Sequence, residues 1–188
     1  MIKNIEHYVK KYKMLDSDFC NQTIEQLKKL EWHKHSFYNH TTGEVSDRSG
    51  DNELLFSIDR IENQSEIVKR MWHHIKAYVK EDTGFSWFDG WKDFSQPRWN
   101  KYDKNLTMAE HCDHISSLFT PNKIGVPILS VLGVLNDDYE GGDFIMFEDV
   151  KIEMKQGDLI IFPSNFLYPH RVEPVKKGTR YSYISWAW

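Results

Sequence analysis

The stretch "AEHCDH" offers an imidazole at His111 and a carboxylate at Asp113. In an extended strand, residues two apart point to one face, so the pair is presented together while Cys112 turns away. A histidine from a distant strand, His170, completes a set of two imidazoles and one carboxylate. Such a donor set holds non-haem Fe(II) from one side and leaves the opposite side open for a co-substrate and O2. Standing alone among nine histidines, a His-x-Asp pair reads more readily as part of a solvated strand. Its place at the start of a strand-rich half, with His170 ahead of a turn, favours the metal.

That turn lies in "PHRVEPVKKGTRYSYISW", which carries Arg180 on its far arm. Read as a hairpin over Lys176-Lys177-Gly178, it places Arg180 on a strand antiparallel to that of His170. There the guanidinium can grip one end of a dicarboxylate with two charge-assisted bonds, while the other end chelates the metal. Ser182, on the same face as Arg180, offers a hydroxyl donor. Alone, Arg180 would be read as a surface ion pair; beside the triad it is read as a ligand anchor.

The elements that must position these groups change along the chain. "FCNQTIEQLKKLEW" and "SEIVKRMWHHIKAYVKED" read as helices. In the second, Ile67, Met71, Ile75, Tyr78 and Val79 recur at helical spacing, with Ser65 as cap and Gly84 as stop. From about residue 85 short strands follow, punctuated by turns at 103–105, 140–142, 156–158 and 176–178. The expectation is a single domain over residues 1–188. Residues 1–84 form a helical support and lid, and residues 85–188 a β core, barrel or sandwich. The polar segment "NHTTGEVSDRSGDN" is the candidate lid.

Net charge is −4, with 40% hydrophobic and 28% charged residues, an ordinary globular balance. It gives no basic field for nucleic acid or anionic membrane. The N-terminus lacks an apolar run, so neither a secretory signal nor a membrane span is expected. Two cysteines make no disulfide framework, and the expected setting is cytoplasmic. Among the remaining features, "WHKH" at 32–35 reads as surface, His73-His74 as poor co-ligands, and the acidic run 136–143 as a solvated turn. Trp99 and Trp186 are the first choices for substrate contacts.

Together, His-x-Asp, the distal histidine and "HRVEPVKKGTRYS" resemble the Fe(II)/2-oxoglutarate-dependent dioxygenases, in particular their prolyl 4-hydroxylase-like branch. "ILSVLGVLNDDYEGGDF" resembles that branch's core strand, Leu-Asn corner and Gly-Gly turn, and "GDLIIFPS" its strand before the distal histidine. The likeness covers about residues 96–188. It implies a mainly β (α+β) chain with N-terminal helices on a double-stranded β-helix, jelly-roll or cupin-like, core. It implies His111, Asp113 and His170 as iron ligands, Arg180 as the 2-oxoglutarate anchor, and Tyr102 and Ser182 as further co-substrate contacts. Val134 stands where some relatives have a tyrosine.

The implied reaction uses Fe(II), 2-oxoglutarate and O2, with ascorbate as a family-typical reductant, and releases succinate and CO2. The retained Asp113 fits hydroxylation rather than halogenation. The implied substrate is a prolyl residue in a peptide or protein. The rivals are a free amino acid or other small molecule, oxidative demethylation of nucleic acid, and a non-catalytic binding module.

Overall fold

The computed structural model describes residues 4–39, 44–46, 52–84, 93–113 and 127–188. The proposed lid segment lies largely outside these residues. The N-terminal part holds β1 (Lys10–Lys13), α1 (Ser17–Leu27), β2 (His33–Lys34), β3 (Phe37–Asn39), β4 (Glu44–Ser46), β5 (Leu55–Ser57) and α2 (Gln64–Ala77). Then come β6 (Arg98–Tyr102), β7 (Met108–His111), β8 (Leu129–Val134), β9 (Glu140–Gly141) and β10 (Phe144–Met146). The chain closes with β11 (Val150–Ile152), β12 (Asp158–Pro163), β13 (His170–Val172), β14 (Val175–Lys177) and β15 (Arg180–Ala187).

Both long helices form where expected, with shifted starts. Helix α1 begins at Ser17 because the Asp16 side chain accepts the Phe19 amide at 2.9 Å, satisfying one of the free N–H groups of the first turn. Helix α2 begins before Ser65, with Asn63 at its N-cap position. The Asn63 side chain donates to Thr23 Oγ1 instead of capping, which ties α2 to α1. Ile67, Met71, Ile75 and Tyr78 are fully buried, as their spacing predicts, and Gly84 follows in a left-handed conformation. None of the described helices is long and apolar enough to cross a membrane.

The main sheet runs β1-β12-β8-β15-β6-β5-β2, and a four-stranded sheet runs β11-β10-β13-β7, all antiparallel. Strand structure therefore starts well before residue 85, since β1, β2 and β5 complete both margins of the main sheet. Its two faces differ. Trp99, Val131, Leu159, Ile161, Tyr183 and Ala187 share one core cluster with the helical residues Ile24, Leu27, Ile67, Met71 and Ile75. Leu132, Val134, Ile160, Phe162 and Ile184, at alternate positions of the same strands, cluster with Met108, Phe144, Met146 and Val172 of the smaller sheet. Gly133 is required on the helical face, because a Cβ there would stand 2.1 Å from the Tyr183 ring.

The expected His170–Arg180 hairpin does not form. Strand β13 belongs to the smaller sheet and β15 to the main sheet. Between them Pro174, which has no N–H to donate, ends the β13 ladder, and β14 pairs with β9 instead. Gly178, at φ +79°, then turns the chain into β15. The consequence is functional: His170 and Arg180 approach the space between the sheets from opposite sides.

Candidate active site

Antiparallel pairing sets His111 of β7 directly opposite His170 of β13, so two residues remote in sequence become cross-strand neighbours. Their rings lie 4.3 Å apart between centroids. Asp113, just beyond β7, turns back to them, with Oδ1 3.5 Å from His111 Nε2 and Oδ2 3.8 Å from His170 Nε2. One donor atom from each of the three lies within 4.8 Å of the others, the grouping with metal-ligand character among the described residues.

The surroundings prepare these donors. The Nδ1 of His111 is bonded to the Ala109 carbonyl at 2.8 Å, and that of His170 to the Tyr168 carbonyl at 3.1 Å. A carbonyl only accepts, so each Nδ1 carries the proton and each Nε2 presents its lone pair inward, the tautomer a metal needs. Ser130 donates to Asp113 Oδ2 at 2.5 Å and is itself 2.5 Å from the Ser164 hydroxyl. Burial works against the Asp113 charge, but His170 and His111, when protonated in the absence of a metal, and the Ser130 bond outweigh it and hold the carboxyl well below its usual range. Burial lowers the His170 pKa, against the opposing pull of Asp113, so its imidazole favours the neutral form. Phe144 and Phe162 wall the ring of His170. Anionic, neutral and neutral are the protonation states in which this trio binds a divalent ion.

Arg180 lies deeper, behind Tyr102, and is 1% exposed. Its Nη1 donates to Ser182 Oγ at 2.9 Å and its guanidinium lies 5.0 Å from the Tyr102 ring centroid. Its Nε is buried without a partner, and no described carboxylate lies within ion-pairing distance. A buried guanidinium left this way is costly unless an anion arrives. Ser182, expected to serve a ligand, here accepts from Arg180 and orients it. Asn136, buried within the acidic run read as a solvated turn, donates to the Thr179 carbonyl and accepts the Tyr181 amide at 2.7 Å each. It thus fixes the backbone on both sides of Arg180.

The cavity wall on the main sheet includes Arg98, Asn100, Tyr102, Leu132, Ile184 and Trp186. Trp186 therefore faces the cavity as expected. Trp99 does not: it is fully buried on the helical face, and its indole donates to the Asp59 carbonyl at 3.0 Å. The parity of β6 is the reason, since 98, 100 and 102 point inward and 99 outward. His35, read as surface, is another departure. It is half-buried, and burial together with the charges of Arg98 and His111 pulls its pKa down to about 3. Ser130, Ser164, Asn136, Arg98 and His35 are the site residues that sequence reasoning missed. Only Asn136 carried a signal, the Leu-Asn corner.

Residues 97–188 match the family model of the 2OG-Fe(II) oxygenase superfamily. A PKHD-type hydroxylase of Delftia acidovorans is 33% identical over 98 residues, covering 48% of this chain and 42% of the relative. The match thus spans less than half the length of that curated relative. A Pseudomonas putida prolyl-4-hydroxylase structure superimposes with a TM-score of 0.66 at 20% identity, over 96% of this chain and 92% of that one. A prolyl hydroxylase from Trichoplax adhaerens, in complex with a hypoxia inducible factor oxygen degradation domain peptide fragment, gives 0.68 at 17% identity, over 97% and 84%. The fold is the double-stranded β-helix of prolyl hydroxylases. These comparisons support a 2OG-Fe(II) oxygenase over residues 97–188, a class whose cofactors are Fe(II), 2-oxoglutarate and O2.

Proposed function

We propose that this protein is a 2-oxoglutarate- and Fe(II)-dependent hydroxylase acting on a prolyl residue in a peptide or protein. The observation that carries the oxygenase reading is a largely buried His111–Asp113–His170 group with Arg180, a buried guanidinium without a described carboxylate partner, in the neighbouring pocket across Phe144. In this reading His111 and His170, through Nε2, and Asp113 hold the iron, while Arg180 binds the far carboxylate of 2-oxoglutarate. Bound iron would activate O2 at the expense of 2-oxoglutarate, one oxygen atom entering succinate as CO2 leaves and the other converting C–H to C–OH. The protein's own part is positioning and exclusion. Ser130 keeps Asp113 ionised and aimed, Ser182 and Tyr102 fix the plane of Arg180, and Phe144 and Phe162 keep water from His170.

Support for a polypeptide substrate comes from the rim as well as from the prolyl hydroxylase fold. Ile128, Phe166 and Leu167 are exposed at 41%, 75% and 46%. The Phe166 carbonyl accepts from Cys112, between the two ligands of the first stretch, and the Ile128 carbonyl accepts the amide of Ser164. Apolar side chains at the mouth suit an extended, proline-bearing segment, whose fixed φ limits the entropy lost on binding. The cytoplasmic setting belongs to the same reading; Cys20 and Cys112 are both free thiols.

The test incubates the protein with Fe(II), 2-oxoglutarate and O2, with and without ascorbate, alongside proline-containing peptides or free L-proline. Succinate release coupled to one oxygen atom gained on a peptidyl proline is the expected result. Oxygen gained only by free proline, or by another residue, would remove the substrate assignment and leave the oxygenase.

A further inference from the structure

The cavity of the triad is lined by a cation, Arg98, that the oxygenase reading does not use. On the inward face of β6, Arg98 stands opposite Ile184 of β15, whereas Tyr102 stands opposite Arg180. Four strand residues separate the two levels, about 13 Å, so Arg98 lines the cavity of the triad while Arg180 lines the neighbouring pocket, with Phe144 shared between them. Asp113 lies toward the Arg98 end, since Ser130, which holds it, is paired with Trp186. Arg98 Nε donates to the buried Asn100 Oδ1 at 3.2 Å, and its guanidinium lies 5.7 Å from the Phe56 ring and 5.4 Å from that of Trp186. No ion pair engages it among the described residues. The Trp186 indole N–H is buried beside it with no acceptor.

Charge balance sharpens this. The charges of Fe(II), dianionic 2-oxoglutarate, Asp113 and Arg180 cancel, and His35 next to Arg98 stays neutral at ordinary pH. Arg98 has no ion-pair partner among the described residues, in surroundings whose burial disfavours its charge. We propose that Arg98 is a specificity-determining residue that binds a carboxylate of the substrate close to the carbon to be oxidised. Asn100 fixes its Nε, Phe56 and Trp186 hold the guanidinium plane, and the free edge offers a two-pronged contact matched to a monoanion. The proposal rests on the oxygenase reading and narrows its substrate: the reacting residue is a free acid, a chain terminus, or the neighbour of Asp or Glu.

The test is calorimetric titration of the anaerobic Fe(II)/2-oxoglutarate protein with matched acid and amide probes. The pairs are L-proline and L-prolinamide, a proline-terminated peptide with free or amidated end, and amidated peptides with Asp or Asn beside proline. N-acetyl-leucine and its amide are the proline-free pair. The acid member of at least one pair should bind about 10- to 100-fold more tightly, and Arg98→Gln should abolish that preference. Arg98→Lys should restore part of it and serves as the second variant if Arg98→Gln does not fold. The 2-oxoglutarate titration of either variant should stay near wild type, because that anion is anchored in the neighbouring pocket. Equal binding of acids and amides, no binding of any acid, or a preference that survives Arg98→Gln would overturn the assignment. A preference seen only in the leucine pair and lost in Arg98→Gln keeps Arg98 and removes proline. Hydroxylation of amidated prolyl probes without any acid preference does the reverse. Which prolyl pair responds identifies the source of the carboxylate.

Discussion

On the helical face of the main sheet, Trp99, Val131, Tyr183 and Ala187 pack with Met71 and Ile75 into an almost wholly apolar core. On the opposite face the neighbouring residues of the same strands include Asn100, Ser130, Ser182 and Arg180, all buried and all polar. Burial of apolar surface stabilises the fold, whereas burial of polar and charged groups costs free energy unless each is bonded. The difference teaches where folding free energy is gathered and where it is spent: substitutions in the helical-face core should destabilise the protein, and substitutions at the buried polar positions of the inner face should disable it while it stays folded.

The largest effect that would break this contrast is expected at the triad. Asp113→Ala or His170→Ala should abolish turnover and iron binding with the fold retained. Metal stoichiometry, succinate release and circular dichroism measure the three quantities; a variant with wild-type turnover at matched iron is not missing a ligand. On the other face, Met71→Ala should lower stability by about 2–5 kcal/mol through cavity formation. Denaturant unfolding measures that loss, and the folded fraction should bind 2-oxoglutarate as wild type does.

Arg180→Ala should weaken 2-oxoglutarate binding by about 2–4 kcal/mol, with iron affinity nearly intact and Arg180→Lys intermediate. Overlapping titrations of wild type and Arg180→Ala would remove the anchor. Ser130→Ala, one step out from the metal, should cost about 10- to 100-fold in iron affinity, read by competition with a chelator.

The smallest effect concerns pH. His35, lowered from 6.5 to about 3, and His170, also lowered, are favoured as neutral groups in the fold. Their contribution to stability is complete above the unfolded value near 6.5 and is lost as pH falls from there toward the folded values. The metal-free protein should therefore melt at progressively lower temperature from pH 7 to pH 4, and His35→Gln should flatten part of that slope. A profile that is flat in the wild type, or equally steep in His35→Gln, would separate His35 from the inner-face cost.

Much of the local structure was legible in the residues themselves. The helical face of α2 follows from a 3.6-residue repeat, and the turns with Asn105, Gly142, Gly157 and Gly178 all adopt positive φ. The donor types of His111, Asp113 and His170 are likewise properties of side chains, and the backbone brings them together as expected. What sequence could not supply was strand parity and sheet membership. A one-residue shift of β6 would exchange Arg98 for Trp99 at the cavity wall, and only pairing with β15 fixes that register. Pro174 could mark a break in β13, but not that the chain would then cross to the other sheet. His35 and Ser130 join the site through contacts between segments far apart in the chain. Side-chain chemistry and local backbone preference act within a few residues and were determined by the sequence read alone. Which chemistry faces which depends on the packing of two sheets against one another, and the tertiary structure alone decided it.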